Sequence, residues 1–545
     1  MKTKRIISFF FLFLCIFVGI ILRLFWLSQS DNEYKQAAAS HGTYNLTLSS
    51  NRGTIYDTNL KPLVNNTDVY YAAVSPTTKN SSSQLEALRS HVLNFKTFLT
   101  RMEESLPFLT RVDSLNIQAK GVTMIKTTQR YSDSALAPHI IGYLGSDGNG
   151  VSGIEKSYNS QLAKYSQTIS AKFAIDANGR SLEGVPADIE VDGDSTAGGV
   201  VLTIDRNIQQ IAQKAADKYL KTGAIVVMDV KNGDILASVS NPGFSQNSLG
   251  AALTNQESPM LNRAFSAYNV GSIFKIAVAA SALESGVSSG YSINCSGSVD
   301  IYGRTFNDEK KGGHGSQNMS QAMANSCNVY YISLGQKIGG NKILDMAKKL
   351  GFGTSGELAP GLKPDDGVLP TSSSLEIPAA LANFSMGQGN FMATPVQVAR
   401  MISAVANGGL LPTPRLVKEL VDDKMSVVKD NPSAVPDRVM SAEIAKTLKN
   451  FLIGTVKSGT GVPAAPTYGG AGGKTATAET GWVKNGKAIN QAWFAGFYPA
   501  DNPKYAIVAL LENGVAGGAD AGPAFKYIAD SLAPSLGYPT VSESK

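Results

Sequence analysis

The sequence predicts an α+β protein in three parts: an N-terminal membrane anchor helix, an elongated β-rich domain, and a larger domain in which helices cover an antiparallel sheet. Three observations support this prediction. An unbroken apolar run follows the first basic residues, strand patterns occur at both ends of residues 196–545, and apolar helical patterns fill the interval between them. A chain of 545 residues is also too long for a single hydrophobic core.

The anchor is predicted from the apolar run Ile6–Leu22, which Lys2, Lys4 and Arg5 precede. This run is longer than the apolar region of a cleaved signal peptide, so residues 1–27 are expected to form a cytoplasmic tip and a retained transmembrane helix. Because the basic residues precede the run, the positive-inside rule predicts a cytoplasmic N-terminus and an extracytoplasmic location for the rest. That location disfavours ATP-driven chemistry.

Composition narrows the possible functions. Hydrophobic residues make up 43% and charged residues 17% of the chain, which is typical of a globular protein. The net charge of +6 is small for this length, so nucleic-acid binding is not expected. Cys15, Cys295 and Cys327 show no C-x-x-C spacing, and only four histidines accompany them. We therefore expect neither a disulfide framework nor a metal site, and no cofactor.

Residues 28–195 are predicted to form the β-rich domain. Its first strands are expected around the Asp57–Asn59 turn in "NRGTIYDTNLKPLV", where apolar residues alternate. The composition shifts again at the turn-rich stretch "VDGDSTAGG", Val191 to Gly199. This stretch predicts the boundary with the last domain, residues 196–545.

The last domain begins and ends with strand signals. In "GAIVVMDVKNGDILASVSNP", Asn232 and Gly233 separate two β-branched runs, which is a strong hairpin signal. Near the C-terminus, "QAWFAGFYPADNPKYAIVALLEN" contains two more apolar runs, and "GPAFKYIADSLAPSLG" follows as a helix. Strands at both ends predict one antiparallel sheet assembled from distant segments, with helices packed on it.

Ser272 and Lys275 lie three residues apart in the otherwise apolar stretch "YNVGSIFKIAVAASALESG". Gly271 and Gly286 bound a predicted buried helix, and the i, i+3 spacing places both side chains on one face. In most S-x-x-K sequences, a helix N-cap and a lysine reaching solvent are a sufficient explanation. Here the helix dipole and the apolar surroundings both lower the expected pKa of the lysine. The pair is consistent with a serine nucleophile beside a lysine general base.

Ser326 and Asn328 lie in "ANSCNVYYISLGQKIG", at the junction of two predicted helical segments. Both residue types are good helix N-caps, so the S-x-N spacing alone carries little information. Its meaning depends on which residues lie nearby in the fold.

Lys474 and Thr475 lie in "GGAGGKTATAETG". A phosphate-binding G-x-x-x-x-G-K-[ST] loop would need glycine at position 468, which is Tyr468, so a nucleotide site is excluded. The alternation in "KTATAE" favours a strand at a sheet edge, where a lysine and a hydroxyl would suit a carboxylate ligand. An exposed lysine on a glycine-rich loop is the alternative.

Taken in order, the S-x-x-K, S-x-N and K-T-x motifs resemble the motif set of penicillin-binding proteins and serine β-lactamases. Other stretches are similar to the class B penicillin-binding proteins in particular. They include "RGTIYD", "SGIEKSYNSQL", "LNRAFSAYNVGSIFK", "GGHG", "MGQGNFMATPVQVARMISAVANGG" and "GFYPADNPKYAIVALLENG". The resemblance implies that residues 28–195 are the pedestal, or dimerisation-like, domain and that residues 196–545 are the transpeptidase domain.

The resemblance also implies a peptidoglycan D,D-transpeptidase whose donor is a stem peptide ending in D-Ala-D-Ala. Ser272 would form the acyl-enzyme and Lys275 would accept its proton. Ser326 would relay a proton to the leaving D-Ala, and Asn328 would contact the donor peptide and Lys275. An amine from a neighbouring strand would then resolve the acyl-enzyme, and β-lactams would be covalent inhibitors.

The third motif supplies the substrate-binding residues that the resemblance implies. Lys474 and Thr475 would bind the terminal carboxylate, and the N–H groups of Ser272 and Thr477 would hold the oxyanion. Two residues differ from the usual family pattern: Ala476 replaces a glycine, and Val270 occupies a position where proline is common. We expect Ala476 to preserve function, although its methyl group at the cleft edge could alter β-lactam affinity.

Two other functions remain open from the sequence. A non-catalytic β-lactam sensor or assembly scaffold would keep the cleft, and Ala476 is the one sequence feature in its favour. A D,D-carboxypeptidase or β-lactamase is disfavoured because a hydrolase needs neither an anchor nor a pedestal. The resemblance further implies a membrane glycosyltransferase of the SEDS type as a partner. It assigns no catalytic role to His314, which is expected to be structural within a tight turn.

Overall fold

The computed structural model describes residues 2–29, 42–182, 185–484 and 487–540. Residues 30–41, in the polar segment expected after the anchor, lie outside the described residues. The chain forms two compact units. The first contains Met1–Asn51, Thr67–Arg130 and Ser166–Asp194, and the second contains Arg52–Asn66, Tyr131–Tyr165 and Ser195–Lys545.

The helices, in chain order, are α1 (Lys2–Gln29), α2 (Ser81–Leu88), α3 (Phe95–Glu104), α4 (Pro138–Ile141), α5 (Gly153–Ser157), α6 (Asn159–Ala163), α7 (Arg206–Tyr219), α8 (Leu249–Leu253), α9 (Lys275–Glu284), α10 (Met319–Ala324), α11 (Asn328–Ile338), α12 (Gly340–Lys349), α13 (Pro378–Ser385), α14 (Pro395–Ala406), α15 (Ala442–Ser458), α16 (Gly517–Asp520) and α17 (Gly522–Leu532). Short 3₁₀ turns occupy Gly271–Phe274, Ser374–Glu376, Val462–Ala464 and Ala533–Leu536.

The strands are β1 (Thr43–Asn51), β2 (Thr54–Tyr56), β3 (Thr67–Val74), β4 (Phe108–Val112), β5 (Val122–Gln129), β6 (Gln167–Ala174), β7 (Asp188–Gly193), β8 (Gly199–Leu202), β9 (Gly223–Asp229), β10 (Ile235–Asn241), β11 (Tyr268–Asn269), β12 (Ile293–Cys295), β13 (Ser298–Ile301), β14 (Arg304–Asn307), β15 (Gly315–Gln317), β16 (Met392–Ala393), β17 (Leu410–Leu411), β18 (Val417–Val421), β19 (Val427–Asp430), β20 (Asp437–Arg438), β21 (Gly472–Lys484), β22 (Lys487–Tyr498) and β23 (Tyr505–Gly514).

Helix α1 contains the predicted membrane span. Ile6–Phe25, 20 residues, is long and apolar enough to cross a bilayer, and none of it is buried against the protein. It is the one such helix within the described ranges. Together with the family shown below, this helix indicates a single-pass membrane protein.

The first unit is rich in strands, as predicted. One sheet has the order β1-β6-β7 and a second has the order β4-β3-β5, and every pairing in both is antiparallel. Helices α2 and α3 contribute Leu88 and Phe98 to the apolar core beside the second sheet. Asn94 caps α3, because its side chain accepts a hydrogen bond from the Thr97 backbone N–H.

The second unit contains the antiparallel sheet that was predicted from distant segments. Its order is β10-β9-β23-β22-β21, so the last strand of the sequence lies between β9 and β22, and β21 forms one edge. The predicted hairpin joins β9 and β10, with Gly233 at a φ of +78° in its turn. A positive φ of this kind favours glycine, which explains the Asn-Gly signal.

Alternate side chains of this sheet enter two different apolar cores. Val226 and Met228 of β9 pack into one core, which also receives helices α9 and α14. Ile225 and Val227 pack into the other, against helices α7 and α17. Helices therefore cover both faces of the sheet, and the predicted α+β architecture is confirmed.

The compact units are interleaved along the sequence. Residues 52–66 and 131–165 belong to the second unit although they precede position 195. Strand β2 explains part of this arrangement, because it pairs in parallel with β8. The Asp57 turn closes through antiparallel bridging of Tyr56 with Pro62. The division into domains at residues 1–27, 28–195 and 196–545 stays a prediction.

Candidate active site

Ser272 lies in the tight turn that leads into helix α9. The turn Gly271–Phe274 is a 3₁₀ helix, and α9 continues it through Glu284. Gly271 has a φ of +61°, and its N–H donates to the Gly387 carbonyl at 2.9 Å. A Cβ at this glycine would lie 3.1 Å from the Ala478 methyl, so only glycine lets the turn approach β21 this closely.

Lys275 is fully buried beneath this serine. Its Nζ lies 2.9 Å from Ser272 Oγ and 2.7 Å from Asn328 Oδ1. It also lies 2.5 Å from the Ser326 carbonyl oxygen and 3.3 Å from Ser326 Oγ. The first two motifs predicted from the sequence therefore meet at a single amine.

Burial lowers the pKa of Lys275 to about 8, and the charges of Glu309, Cys327 and Asp308 partly oppose that shift. A primary amine with a pKa near 8 is neutral in a substantial fraction of molecules at neutral pH. Lys275 can therefore accept a proton from the adjacent hydroxyl, which an ordinary lysine could not do.

Ser326 connects helices α10 and α11 in a left-handed conformation, with a φ of +56°. Such a φ is uncommon for a residue with a side chain and is often found at functional sites. The next helix begins at Asn328, whose N–H donates to Asp308 Oδ2 at 2.8 Å. Cys327 is the N-cap, because its Sγ accepts from the Tyr330 N–H. The N-cap role considered for Ser326 and Asn328 is thus filled by their neighbours.

The third motif lies on the edge strand β21, which excludes the loop alternative for Lys474. Lys474 is fully buried, and its Nζ donates to the Thr475 carbonyl oxygen at 3.0 Å and lies 3.5 Å from Thr475 Oγ1. Burial, followed by the charge of Lys275, lowers the pKa of Lys474 well below its usual value. Thr475 Oγ1 is also 2.8 Å from Thr460 Oγ1.

Ala476 and Thr477 follow on the same strand. Ala476 is 3% exposed, and a Cβ built on Gly271 would lie 3.4 Å from its methyl group. The methyl therefore packs against the Ser272 turn, beneath the residues that line the cleft, and its effect on β-lactam affinity stays a prediction. Thr477 does line the cleft, and its Oγ1 accepts a hydrogen bond from Gly517 N at 3.2 Å.

A cleft of about 680 Å³ opens above these motifs. Its lining includes Ser272 of the first motif, Asn328 of the second, and Thr477, which directly follows the third motif on β21. Lys275, Lys474 and Thr475 are buried. The sequence did not single out the other polar residues that line it: Asn269, Arg304, Thr305, Asn307, Asp308, Glu309, Asn383, Gln388, Glu479 and Thr480. Their positions follow from tertiary contacts among four separate segments, which no local pattern encodes.

Four side chains next to the S-x-N motif could ligate a metal ion by their chemistry. The ligand atoms of Cys295, Asp308, His314 and Cys327 all lie within 4.8 Å of one another. His314 Nδ1 is 3.3 Å from Asp308 Oδ1 and 3.7 Å from Cys295 Sγ. No local pattern in the sequence indicates this cluster, because its members are spread over β12, the loop after β14 and the start of α11. The expectation that the protein binds no metal stays a prediction.

Comparisons with known proteins agree with this geometry. The family model of the penicillin-binding protein transpeptidase domain matches residues 223–530. Stage V sporulation protein D of Bacillus subtilis is 30% identical over 538 residues, covering 90% of this chain and 79% of that protein. The peptidoglycan D,D-transpeptidase MrdA of Acinetobacter baumannii is 28% identical over 546 residues, covering 87% of this chain and 80% of that protein.

Solved structures extend the similarity to the fold. Penicillin-binding protein 3 of Mycobacterium tuberculosis, in complex with aztreonam, superposes with a TM-score of 0.65 at 25% identity, covering 92% of this chain and 98% of that one. The D,D-transpeptidase domain of a peptidoglycan glycosyltransferase from Eggerthella lenta gives the same TM-score and identity, covering 90% of this chain and all of that one. Sequence, fold and family model agree, and the chain belongs to the class B penicillin-binding proteins.

Proposed function

We propose that Ser272 is the nucleophile of a peptidoglycan D,D-transpeptidase and that neutral Lys275 is its general base. One observation carries the proposal. The Lys275 amine is fully buried, has a pKa lowered to about 8, and lies 2.9 Å from the Ser272 hydroxyl oxygen. A nucleophile within hydrogen-bond reach of a base whose neutral form is populated near physiological pH is the arrangement that acyl transfer requires.

In the acylation step, Ser272 Oγ bonds to the carbonyl carbon of the penultimate D-Ala while its proton passes to Lys275 Nζ. The carbonyl oxygen becomes an anion, which the N–H groups of Ser272 and Thr477 would stabilise. The position of β21 at the sheet edge supports this role for Thr477, because one side of the strand carries no further strand of that sheet. The C–N bond then breaks.

Ser326 and Asn328 would complete the proton path. Ser326 Oγ lies 3.3 Å from Lys275 Nζ, so the hydroxyl can pass the lysine's proton to the leaving amine of the terminal D-Ala. Asn328 Oδ1 accepts from the same lysine at 2.7 Å, which fixes the direction of the amine. Its amide group also faces the cleft, where it would contact the donor peptide.

Lys474 and Thr475 would bind the terminal carboxylate of the donor. Within the described residues, the Lys474 ammonium donates only to the carbonyl and hydroxyl oxygens of its neighbour. An incoming carboxylate would supply the opposite charge that this buried group lacks. Ala476 would leave this contact intact, because its methyl packs against the Ser272 turn.

The second half-reaction transfers the acyl group to an amine of a neighbouring stem peptide. The amine nitrogen bonds to the acyl carbon and loses a proton to Lys275, and the ester bond to Ser272 breaks with return of that proton to Oγ. β-Lactams would acylate the same serine. The positive-inside pattern of the anchor supports a cytoplasmic N-terminus and an extracytoplasmic cleft. Membership of the class B penicillin-binding proteins supports a SEDS-type membrane glycosyltransferase as partner.

Labelling with a fluorescent penicillin tests this function. The full-length protein in detergent should be labelled covalently, with the adduct found on Ser272 by peptide mass spectrometry, and S272A should not be labelled. Slow release of the label and cross-linking of glycan strands that carry stem peptides should accompany it. Absence of any adduct would refute the enzyme, whereas release within seconds would indicate the hydrolase alternative.

A further inference from the structure

The segment that leads into Ser272 is held by three residues outside the catalytic motifs: Arg263, Trp493 and Glu512. Tyr268 and Asn269 form strand β11, which ends three residues before Ser272. β11 pairs with β16 in a small antiparallel sheet, and side chains of the five-stranded sheet also contact it. Trp493 Nε1, on β22, donates to the Asn269 carbonyl oxygen at 2.9 Å, and the rings of Trp493 and Tyr268 meet edge to face at 6.3 Å.

Glu512, on the central strand β23, accepts two hydrogen bonds through a single carboxylate oxygen. The Tyr268 hydroxyl donates to Oε1 at 2.7 Å, and Arg263 Nε donates to the same oxygen at 3.0 Å. Arg263 and Tyr268 are buried, and the Glu512 side chain is 22% exposed. Bonds from charged or phenolic donors to a carboxylate in such surroundings are strong and directional.

Both terminal nitrogens of Arg263 also donate hydrogen bonds. Nη1 donates to the Ser258 carbonyl oxygen at 3.1 Å and Nη2 to the Glu257 carbonyl oxygen at 2.7 Å. Arg263 is therefore fixed in one orientation, and Glu512 is the carboxylate that compensates its buried charge. The Tyr268 hydroxyl is therefore positioned by Glu512, whose carboxylate is in turn held by the fixed Arg263.

The proposed chemistry depends on the distance between two separate elements. One oxyanion donor, the Ser272 N–H, belongs to the turn before α9, and the other, the Thr477 N–H, belongs to the edge of the sheet. Catalytic donors must be held to within about 0.5 Å of their productive positions. Glu512 and Trp493 lie on strands of the same sheet as Thr477, so they tie β11, and with it the Ser272 turn, to the sheet that carries the second donor.

We infer that Glu512, through Tyr268 and with Arg263, is a positioning residue that sets the register of the Ser272 turn against strand β21. The inference rests on the proposed role of Ser272. Glu512 touches neither substrate nor the reacting atoms, and its effect is on the acylation step alone. Non-covalent binding of a β-lactam, which depends on the cleft and on Lys474, stays unchanged.

The test measures acylation by a chromogenic β-lactam in Y268F, which removes one hydroxyl and keeps the ring packed on Trp493. Loss of orientation should lower the acylation rate constant about tenfold, leave the non-covalent dissociation constant unchanged, and leave the midpoint of the pH profile unchanged. E512Q retains an acceptor oxygen for both donors, so its acylation rate constant should fall less than that of E512A. The double variant Y268F/E512A should acylate only slightly more slowly than E512A, because both substitutions remove the same hydrogen bond between Tyr268 and Glu512.

Y505F is the matched control, since Tyr505 is another buried tyrosine and begins strand β23. Its acylation rate should equal that of the wild type. Melting temperatures of all variants show whether each is folded. An unchanged acylation rate in folded Y268F and E512A, with the wild type labelled on Ser272, would overturn the inference. An unlabelled wild type would instead overturn the proposed function on which the inference depends.

Discussion

The two buried lysines of the active site have opposite surroundings. Lys275 makes hydrogen bonds to Ser272, Ser326 and Asn328, which come from two separate motifs. Lys474, equally buried, bonds within the described chain only to its neighbour Thr475. Burial lowers the pKa of both amines. The difference indicates that the Lys275 amine is already held in place before substrate binds. The Lys474 amine, in contrast, would gain its charged partner only when the carboxylate of the substrate binds.

Replacing Lys275 should have the largest effect on the acylation rate. In K275M the chain keeps a side chain of similar length and loses the base, so the acylation rate should fall by about 10³- to 10⁴-fold. Stopped-flow measurement with a fluorescent penicillin gives this rate. A loss of less than tenfold would show that another group takes the proton from Ser272.

Removing the other lysine should act on binding. K474M should weaken acylation by β-lactams about 100-fold, mainly through the non-covalent dissociation constant, because the charge-assisted bond to their carboxylate is lost. A β-lactam whose carboxylate is esterified serves as the control and should bind both proteins equally weakly. Equal losses of affinity for the acid and the ester in K474M would show that Lys474 does not bind the carboxylate.

The pH dependence should report Lys275. Only its neutral form accepts a proton, so acylation should rise about tenfold per pH unit below the pKa and level off above about 8. Rates from about pH 5 to about pH 9 define the curve. The S272A protein, which should show no rate at any pH, gives the baseline, and a curve that falls with rising pH would contradict the assigned base.

Both lysines should reduce the stability of the fold. Burial lowers the folded pKa of both lysines below the unfolded value of 10.5. For Lys275, whose folded pKa is about 8, the unfolded chain binds more protons between about pH 8 and about pH 10, so stability rises with pH there; Lys474 acts in the same direction. Below that range the desolvated charge costs free energy. K275M and K474M should each raise the melting temperature at neutral pH by about 2 °C. Lowered melting temperatures would show that the ammonium groups stabilise the core.

The smallest effect should come from Glu309, a cleft carboxylate whose charge raises the pKa of both lysines. E309Q should shift the midpoint of the acylation profile to lower pH. The change is expected to be modest, because Glu309 is exposed and solvent screens its charge. E479Q is a useful comparison, since Glu479 also lines the cleft and is not among the groups that shift either lysine.

The sequence predicted the features that arise from local patterns. Three elements could be predicted because each depends on periodicity or on a turn residue: the apolar helix after Ser272, the Asn232–Gly233 hairpin and the edge strand that carries Lys474. The order of the three motifs then placed the chain in its family. These elements can be predicted from a single sequence because the residues that determine each of them lie within about ten positions of one another.

Other parts of the site could not be predicted. The left-handed Ser326 depends on how two helices meet, and Glu512 reaches Tyr268 across 244 positions of sequence. The same holds for the Cys295, Asp308, His314 and Cys327 cluster, whose members come together only when the loop after β14 packs on α11. Such contacts are decided by tertiary packing, which overrides local preference.

The central position of β23 has a consequence for biosynthesis. This strand is the last of the sheet to leave the ribosome, yet β9 and β22 can join in one sheet only through it. Until residue 514 has emerged, the nascent chain can form no sheet that holds β21 beside the Ser272 turn. Because late, long-range strand pairing is slow, the protein should gain the capacity to react with penicillin only after β23 has emerged and paired with β9 and β22.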